Sequence, residues 1–542
     1  MSTSVFADLV PKRLREQWAV AGIYPNKSVF EVFQYRATQH PNRVAVISDG
    51  LETTYSELLT SSLKLAAGLR NAGIGLGDVV AYQLPNSWRC CAIDLAVAAL
   101  GGVTLPLPAG RGKLDTEASL RRSAARALVV SGEGDGSAFD EVDAIRPMLP
   151  SLDCRIALGG STRKNWLSLE LLFETPALSS NCLPVVSADA PFRITTTSGT
   201  ESEPKLIAYS HNAMLGGRGR YLERINWGAE EFRCLYLVSL GSAAGANATA
   251  GILSWLGGSI VVMRKFDVQL AIATIEKSKP SHILGVPTMF QRMAAESSLR
   301  QTNRTSLRAL ISGGAGISPE SISGCAEAFG CSFLPFYGSA DGVICHAMQT
   351  DSADEPGHVG RPEPSICEIR IVDDSSITLP VGEVGEIYAR GPITPMQYVN
   401  APELDARYRD DEGWVRTGDM GRMSQDGYLY LTGRKKDVII RGGANINPAQ
   451  VEQLVTGMPG VVAAACVAVD DRDLGQRMCM VLTIRANHRR PSLEDVATYL
   501  RNRGLDSYKI PEYLRLVRDL PIAPTGKVDK RRLADEVAFL AT

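Results

Sequence analysis

The stretch Ile194–Tyr209, ITTTSGTESEPKLIAY, places hydroxyl groups, one glycine and one lysine between two apolar runs. The hydroxyl groups can donate hydrogen bonds, and they stand at Thr195, Thr196, Thr197, Ser198 and Thr200. Gly199 lets the backbone approach an anion closely, and Lys205 supplies a positive charge. The stretch therefore predicts a loop that binds nucleotide phosphates.

The residues on either side of this loop predict a strand–loop–strand hairpin. Phe192–Thr196 and Leu206–Tyr209 are apolar or alternate like short strands. A Walker-type loop would open a helix, and Pro204 stands where its second glycine is required. Hydroxyls and backbone N–H groups would then hold the anion in place of a helix dipole. Taken alone, such a run is most often a solvated turn, and the motifs farther along the chain favour the phosphate-binding interpretation.

Composition excludes several classes of protein. The 542 residues carry a formal net charge of −2 and are 45% hydrophobic, which is usual for a globular protein of one large and one small domain or of several domains. This charge gives no general attraction to nucleic acid or to an anionic membrane. Eleven scattered cysteines and six histidines indicate neither a disulfide framework nor a zinc site. We expect a cytoplasmic protein.

Targeting and membrane segments are not predicted. Met1–Ala21 is interrupted by charges, and the apolar stretch Cys90–Pro108 contains Asp94 and two glycines. That stretch predicts a buried helix followed by a strand. Alternating helical and extended patterns from Val29 to Leu107 indicate α/β layering. Gly132–Val142 predicts a surface loop.

After the hairpin, Asn212–Ile225 predicts a helix, and a run of small residues follows within Leu235–Gly258. Small side chains around Ala243, Ala244 and Asn247 leave volume for a ligand. Close helix packing would use glycine and alanine equally well, so both interpretations stay open.

Two later apolar strands end in glycine-rich turns, at Leu310–Ile317 and Phe336–Gly342. Ligand crevices in open α/β sheets lie at such strand ends. Tyr337 has a ring that can stack on a flat base, and Asp341 offers a hard oxygen to a divalent cation. Three further glycine-rich blocks are Gly413–Gly421, Gly427–Gly443 and Leu520–Lys530.

Five motif blocks follow one another in this sequence: the loop Thr197–Lys205, Tyr337–Asp341, Thr417–Asp419, Gly433–Asp437 and Pro524–Lys527. In this order they resemble the adenylate-forming superfamily, which comprises acyl-CoA synthetases, aryl-acid ligases and peptide-synthetase adenylation domains. The resemblance covers nearly the whole chain. It implies an α/β fold with a large multi-sheet N-terminal domain, residues 1–435, and a small mobile α+β C-terminal domain, residues 436–542. It also implies two half-reactions, in which a carboxylate attacks the α-phosphate of ATP and a thiol then takes the acyl group from acyl-AMP.

The resemblance assigns roles to individual residues. Residues implied to bind ATP are Thr197, Ser198, Gly199, Thr200, Lys205, Gly313, Gly314, Ala315, Tyr337, Gly338, Ser339, Asp419 and Arg434. Residues implied to line the acid pocket are Ala243, Ala244, Asn247, Gly314 and Ser339. Lys527 is implied to be the catalytic lysine, assisted by Asp341, which would also bind the metal, and by Lys205. Lys436 falls at the hinge, and Gly442 and Gly443 are the candidate thiol-acceptor loop.

Departures from the family pattern bear on the substrate. Glu201 adds a negative charge to the phosphate loop, and Ala340 removes a hydroxyl that often touches the α-phosphate, although aryl-acid ligases of siderophore pathways also tend to carry alanine there. Ala243-Ala244 stands where relatives carry a histidine or a His-Asn pair. No acidic residue in Gly241–Gly251 meets a substrate ammonium, so a neutral, bulky or aromatic acid fits better than an amino acid.

The sequence thus predicts a free-standing ligase dependent on ATP and Mg²⁺, acting on an aromatic or cyclic carboxylic acid. Lys205–His211 and Tyr508–Pro511 resemble aryl-acid ligases, whereas Ile439–Pro448 resembles acyl-CoA ligases. The acceptor is CoA or the phosphopantetheine arm of a carrier protein. Two alternatives stay open: transfer to a nitrogen or oxygen nucleophile, and a nucleotide-binding relative without catalysis.

Overall fold

The structure, a computed structural model, describes residues 6–132, 137–159, 163–196, 204–226, 231–314, 317, 319–346, 357–441, 444–523 and 527–540. At positions 137, 436, 440, 444 and 445 it describes the backbone alone. Within these ranges the strands form four β-sheets, three before residue 435 and one after it.

The first sheet has eight strands and contains the hairpin. Its spatial order is β18 (Gln397–Tyr398), β9 (Leu206–Ser210), β8 (Pro191–Thr196), β4 (Val103–Pro106), β3 (Val79–Gln83), β5 (Ala127–Ser131), β6 (Cys154–Leu158) and β7 (Leu167–Ser168). Strands β8 and β9 pair antiparallel, which confirms the predicted hairpin. The pairs from β8 to β7 are parallel.

The second sheet also has eight strands. Its order is β15 (Val343–His346), β14 (Ser332–Ser339), β13 (Ala309–Gly313), β12 (His282–Gly285), β10 (Arg233–Tyr236), β11 (Ser259–Val262), β1 (Val44–Ser48) and β2 (Leu51–Thr54). The pairs from β14 to β1 are parallel, and each edge strand is antiparallel to its neighbour. Three parallel strands, β12, β13 and β14, therefore end at the same edge of the sheet.

Two smaller sheets complete the described fold. The third sheet is antiparallel, in the order β16 (Glu368–Val372), β17 (Gly385–Arg390), β19 (Val415–Met423) and β20 (Leu429–Arg434). The fourth follows in the order β22 (Ala444–Ile446), β21 (Ile439–Arg441), β24 (Gly475–Ile484) and β23 (Val461–Asp471), and β25 (Tyr513–Val517) pairs with β24.

Helices cover the faces of these sheets. The α-helices are α1 (Lys12–Val20), α2 (Val29–Gln39), α3 (Tyr55–Asn71), α4 (Trp88–Ala99), α5 (Lys113–Ser123), α6 (Ser137–Ile145), α7 (Leu169–Phe173), α8 (Arg220–Ile225), α9 (Val268–Ser278), α10 (Pro287–Ala294), α11 (Ser297–Gln301), α12 (Pro319–Phe329), α13 (Pro402–Tyr408), α14 (Pro448–Thr456), α15 (Leu493–Asn502) and α16 (Lys530–Val537). Segments of 3₁₀-helix are Arg146–Met148, Ser180–Cys182, Lys435–Asp437, Ser507–Lys509 and Ala538–Leu540. Two segments are π-helical, Ala213–Gly219 and Ala248–Leu256.

Local sequence explains several helix starts. A capping box, in which the N-cap hydroxyl and an acidic side chain three residues on satisfy each other's backbone N–H, opens three helices. The pairs are Ser28 with Glu31 in α2, Thr54 with Glu57 in α3, and Ser492 with Asp495 in α15. These boxes satisfy N–H groups that the helix itself leaves unpaired.

One large hydrophobic core joins the first two sheets through α2, α3 and α4. Helix α4 is buried over most of its length, which confirms the prediction of a buried helix and a strand in Cys90–Pro108. The fourth sheet has hydrophobic clusters of its own, one built on Met478 and Met480 and another on Cys479 and Val481. The α/β class with a large multi-sheet part and a smaller C-terminal sheet domain is thereby confirmed.

Two local predictions need correction. Asn212–Ile225 is helical, but its first part, Ala213–Gly219, winds as a π-helix. The loop predicted for Gly132–Val142 is wrong from residue 137 onward, where α6 begins. Phe139 and Val142 are buried in the core of the first sheet, and this burial outweighs the loop-forming composition that precedes them.

Candidate active site

A cavity of about 780 Å³ opens at the ends of the three parallel strands of the second sheet. Gly285, Gly313 and Ser339 are the last residues of β12, β13 and β14, and all three line it. The other lining residues come from distant segments of the chain. They are Thr196, Lys205, Arg218, Val238, Ser242, Ala243, Ala244, Asn247, Leu284, Val286, Gly314, Phe336, Gly338, Ala340, Asp341, Val343, Ile344, Glu386, Arg407, Tyr408, Arg416, Thr417, Gly418, Arg434, Lys435 and Lys527. The cavity thus gathers most of the described residues that the sequence singled out.

Lys527 reaches this cavity from the C-terminal part of the chain. A Cβ built on Gly314 would lie 3.5 Å from Lys527 Cε, so the lysine passes directly over the glycine turn after β13. The backbone holds the lysine from both sides, because Ala523 N–H donates to the Lys527 carbonyl at 2.8 Å and Ile522 pairs with Val528. Residues from both sides of position 435 therefore line the cavity.

The electrostatic surroundings of Lys527 weaken its hold on a proton. Removal from water and the nearby Arg434 guanidinium lower the pKa of Lys527 to about 8, while Asp419 and Asp341 act in the opposite direction. A lysine with a pKa near 8 is still mostly protonated at neutral pH. It is a positive group in a confined space, which suits stabilisation of negative charge that develops during a reaction.

Asp419 and Arg434 lie opposite each other on β19 and β20. Arg434 Nε donates to Asp419 Oδ1 at 2.9 Å, and Tyr337 OH donates to Asp419 Oδ2 at 2.6 Å. The buried carboxylate thereby holds its orientation while each oxygen retains a second lone pair. The neighbouring Asp419 carboxylate raises the pKa of Arg434, and burial raises the pKa of Tyr337 far above its usual value.

Tyr337 lies beside the cavity, in a core cluster with Val343 and Ile387. On the same strand Phe336, Gly338 and Ser339 belong to the lining. Tyr337 therefore makes a contact that the sequence did not predict, namely the hydrogen bond to Asp419. Its stacking on a flat base stays a prediction.

Asp341 is 8% exposed and carries two hydrogen bonds in the cavity wall. Tyr398 OH donates to Oδ1 at 2.5 Å, and Ser339 Oγ donates to Oδ2 at 2.8 Å. Each oxygen keeps a lone pair, so the carboxylate fits Mg²⁺, which takes one or two protein carboxylates and completes its shell with phosphates and water. Within the described residues no group of three or more His, Cys, Asp or Glu could hold a metal ion by itself.

Lys205, the residue directly before β9 of the hairpin, is buried in the cavity wall. Its Nζ lies 3.5 Å from the centroid of the Tyr408 ring and 5.4 Å from that of Tyr398. Ring faces attract a cation, so the two tyrosines fix the position of the Lys205 ammonium at the cavity wall. Its partner Tyr408, at the end of α13, was not found from the sequence because the contact joins residues about two hundred positions apart.

The small-residue run both borders the cavity and packs closely against neighbouring backbone, which are the two interpretations that the sequence left open. Ala243, Ala244 and Asn247 line the cavity. A Cβ on Gly245 would lie 2.5 Å from the Leu240 backbone, and one on Gly241 would lie 2.9 Å from that of Leu107. The glycines therefore permit close packing, whereas the alanines border open volume.

Several predicted site residues lie outside the described part of the chain. They are Thr197, Ser198, Gly199, Thr200, Glu201, Ala315, Gly442 and Gly443, and for Lys436 only the backbone is described. Their predicted roles stay predictions.

Arg218 is a lining residue that sequence reasoning missed. It lies in the π-helical segment and is 5% exposed, and its guanidinium contacts Tyr209, Ala243 and Asn247. Nothing in the local sequence separates it from Arg220 and Arg224, which belong to the same helical stretch. The direction of the helix against the first two sheets decides which arginine points inward.

Comparison with known families agrees with this geometry. The model of the family "AMP-binding enzyme" matches residues 33–399, and that of "AMP-binding enzyme C-terminal domain" matches residues 450–527. Pyochelin synthase PchD of Pseudomonas aeruginosa is 31% identical over 97% of this chain and 95% of its own. A salicylyl-CoA synthase / salicylate adenylyltransferase of Streptomyces sp. is 32% identical over 97% of both chains.

Solved structures show the same likeness. The amide bond synthetase McbA of Marinactinospora thermotolerans superposes with a TM-score of 0.81 and is 28% identical, covering 94% of this chain and 100% of its own.

The described helices include none that is long and apolar enough to cross a membrane.

Proposed function

Because the chain belongs to the family of AMP-binding enzymes and is a ligase that activates a carboxylic acid as an acyl-adenylate, we propose that its acid is aromatic or cyclic and that a thiol accepts the acyl group. The observation that carries this proposal is the single cavity of about 780 Å³. It joins the small-residue wall around Ala243 to the charged group formed by Lys527 and Arg434. Acid and ATP would meet there in one cavity.

In the first half-reaction a carboxylate oxygen of the acid attacks the α-phosphorus of ATP, and pyrophosphate leaves with the electrons of the broken P–O bond. Lys527 is our candidate for the group that balances the charge moving onto the phosphates, because it projects over Gly314 into a space removed from water. Lys205, buried in the cavity wall, is the candidate to meet the outer phosphates. Mg²⁺ at Asp341 would add positive charge to the same phosphates.

Asp419 and Arg434 are our candidates to hold the ribose. The Asp419 carboxylate is oriented by Tyr337 and Arg434 and keeps lone pairs for hydroxyl donors. A charged acceptor that is already oriented loses little entropy when the ligand binds, which favours affinity. ATP is thereby positioned for attack on one phosphorus.

The proposed class of carboxylic acid rests on the residues that line the small-residue side of the cavity. Ala243, Ala244, Leu284 and Val343 present an apolar surface without an acidic group to hold a substrate ammonium. The relatives point the same way, since one is named for salicylate. An aromatic or cyclic acid would fill this volume and leave its carboxylate toward Lys527.

In the second half-reaction the thiolate sulfur attacks the acyl carbon, and AMP leaves. CoA or the phosphopantetheine arm of a carrier protein can supply this thiol, and in the cell we expect the reaction in the cytoplasm. A second candidate acceptor is an amine, which the likeness to an amide bond synthetase favours. An amine would attack the same carbon and displace the same AMP.

The test is a panel of aromatic, cyclic and short aliphatic acids scored by pyrophosphate release with ATP and Mg²⁺. Active acids are then incubated with CoA, with a phosphopantetheinylated carrier protein and with simple amines, and products are identified by mass. We expect an aromatic or cyclic acid to be turned over best and to yield a thioester. Preference for acetate would overturn the acid class, and an amide with no thioester would replace the thiol by the amine.

A further inference from the structure

Arg218 places a buried positive charge in the wall of the acid pocket. Its side chain is 5% exposed, and within the described residues no carboxylate forms an ion pair with it. Its Nε has no hydrogen-bond acceptor within the same part of the structure. A buried charge without a counter-charge is costly, so its presence at a ligand cavity calls for a partner.

The contacts that Arg218 does make are weak or neutral. Nη1 donates to the Ala243 carbonyl at 3.3 Å and to Asn247 Oδ1 at 3.4 Å, both near the limit of a hydrogen bond. Nη2 donates to Tyr209 OH at 2.9 Å, and the guanidinium lies 4.6 Å from the centroid of that ring. These contacts orient the guanidinium but supply no negative charge.

Other buried arginines of this chain, whose Nε atoms likewise have no hydrogen-bond acceptor, show the carboxylate partner that Arg218 lacks within the described residues. Arg193, whose side chain is 2% exposed, donates to Asp94 Oδ2 at 2.8 Å. The Arg409 side chain is 6% exposed, and its Nε lies 3.1 Å from Asp405 Oδ1. Both are paired with a carboxylate, whereas Arg218 faces the cavity. The missing anion is therefore expected to come from the ligand.

The neighbours of Arg218 identify which ligand this is. Ala243 and Asn247, which accept from its guanidinium, belong to the small-residue wall of the acid pocket. Lys527 and Lys205 are separate positive groups of the same cavity and are our candidates for the phosphates. The guanidinium is thus available to the acid itself.

We propose that the acid carries a second anionic group, a carboxylate in addition to the one that is activated, and that Arg218 binds it. A planar guanidinium matches the two oxygens of a carboxylate better than it matches a hydroxyl. Ala243 and Ala244 leave room beside it for the ring that joins the two groups. The preferred substrates are thus cyclic or aromatic dicarboxylic acids, an inference that rests on the proposed function.

The experiment compares benzoate, 2-hydroxybenzoate, the three benzenedicarboxylates and the monomethyl ester of each diacid, scored by pyrophosphate release. An ester keeps the shape of its diacid and removes only the second charge. We expect at least one diacid to exceed its monoester in kcat/KM by about ten- to a hundredfold, the value of a charge-assisted hydrogen-bonded pair. Arg218→Met should bring the ratio of the diacid and monoester kcat/KM values close to one.

Two further variants separate binding from a structural role. Arg218→Lys keeps the charge without the planar fork and should retain part of the preference. Arg220→Met changes an arginine two residues away that donates to the Gly22 carbonyl, and it should behave as wild type. Thermal stabilisation by the diacid, measured for wild type and Arg218→Met, gives a readout that needs no turnover.

The outcomes are distinct. Equal loss for diacid and monoester in Arg218→Met would reduce Arg218 to a structural residue and overturn the proposal. So would a wild-type preference for benzoate or for 2-hydroxybenzoate over every diacid. Absence of pyrophosphate release with any acid would instead refute the proposed function, and stabilisation by diacids that depends on Arg218 would still support the second-carboxylate site.

Discussion

Arg434 Nε lies 2.9 Å from Asp419 Oδ1 because β19 and β20 pair antiparallel in a register that sets the two residues opposite each other. The pair is 8% exposed on the aspartate side and 39% on the arginine side, so the carboxylate is fixed while the guanidinium reaches the cavity. Tyr337 from the second sheet completes the grip on the other oxygen. Two sheets therefore cooperate to orient one carboxylate.

Replacement of that carboxylate tests the ribose assignment. Asp419→Ala leaves the ribose hydroxyls without a charged acceptor, and a charge-assisted hydrogen bond is worth about 1.5–3 kcal/mol. The Kd of ATP, measured by calorimetry, should rise roughly ten- to a hundredfold. Glu412→Ala is the matched control, because it removes an exposed carboxylate paired with Arg13. An unchanged Kd in a folded Asp419→Ala protein would count against the assignment.

Lys527→Ala separates the two half-reactions. Loss of one group that stabilises transition-state charge costs about 10²–10³ in rate, so adenylate formation should slow on that order. Conversion of a supplied acyl-AMP to thioester needs no charge balance on pyrophosphate and should stay close to the wild-type rate. Stopped-flow pyrophosphate release and single-turnover thioester formation measure the two steps. Equal slowing of both would contradict a role confined to the first step.

The pH dependence of the first step should report the same lysine. A pKa lowered to about 8 means that Lys527 is charged below that pH and loses its proton above it. If the charged form is required, kcat/KM for adenylate formation falls about tenfold per pH unit above the pKa. Lys527→Arg, slower but permanently charged, should show no such fall up to about pH 10. A wild-type profile that is flat between pH 7 and 10 would argue against the assignment.

Ala243→Phe tests the open wall of the acid pocket. The alanine lines the cavity, so a phenyl group at this position occupies volume that a bulky acid would need. We expect kcat/KM for an aromatic acid to fall at least tenfold while the Kd of ATP stays within about twofold, since an excluded ring forfeits its buried contacts. Ala244→Gly, which only adds space, is the matched control. Undiminished turnover of aromatic acids by Ala243→Phe would place them elsewhere.

Asp94→Ala tests a buried network that the sequence did not reveal. Asp94 accepts hydrogen bonds from Arg193, Tyr82 and Thr249, which come from two strands and a π-helical segment. Its loss leaves the Arg193 charge buried without a partner, which costs about 3–5 kcal/mol. Urea denaturation should show this loss, while Glu16→Ala in the exposed Lys12–Glu16 pair should change the free energy of unfolding by less than about 0.5 kcal/mol. A shift equal to that of the control would refute the buried-charge explanation.

The sequence by itself determined the α/β class and the hairpin around Lys205, and it named four of the charged residues that line the cavity: Lys205, Asp341, Arg434 and Lys527. Strand alternation, glycine at tight turns and capping residues act over a few positions, so they can be identified from neighbouring letters. The five motif blocks also indicated which residues correspond to the motifs of the adenylate-forming superfamily. The domain boundary near residue 435 and the hinge at Lys436 stay predictions of this kind.

Only the tertiary structure decided which side chains meet. Tyr337 against Asp419, Lys205 on Tyr408 and Arg218 in the acid pocket are contacts between distant segments, set by strand register and by the packing of one sheet on another. The π-helical winding of Ala213–Gly219, which the sequence predicted only as a helix, is likewise a feature of the folded chain. Local residue preferences decide whether a segment forms a helix or a strand. Which face of that segment is buried, and how deeply, depends on its packing against the rest of the fold. For that reason Arg218 is the functional candidate that only the folded chain reveals.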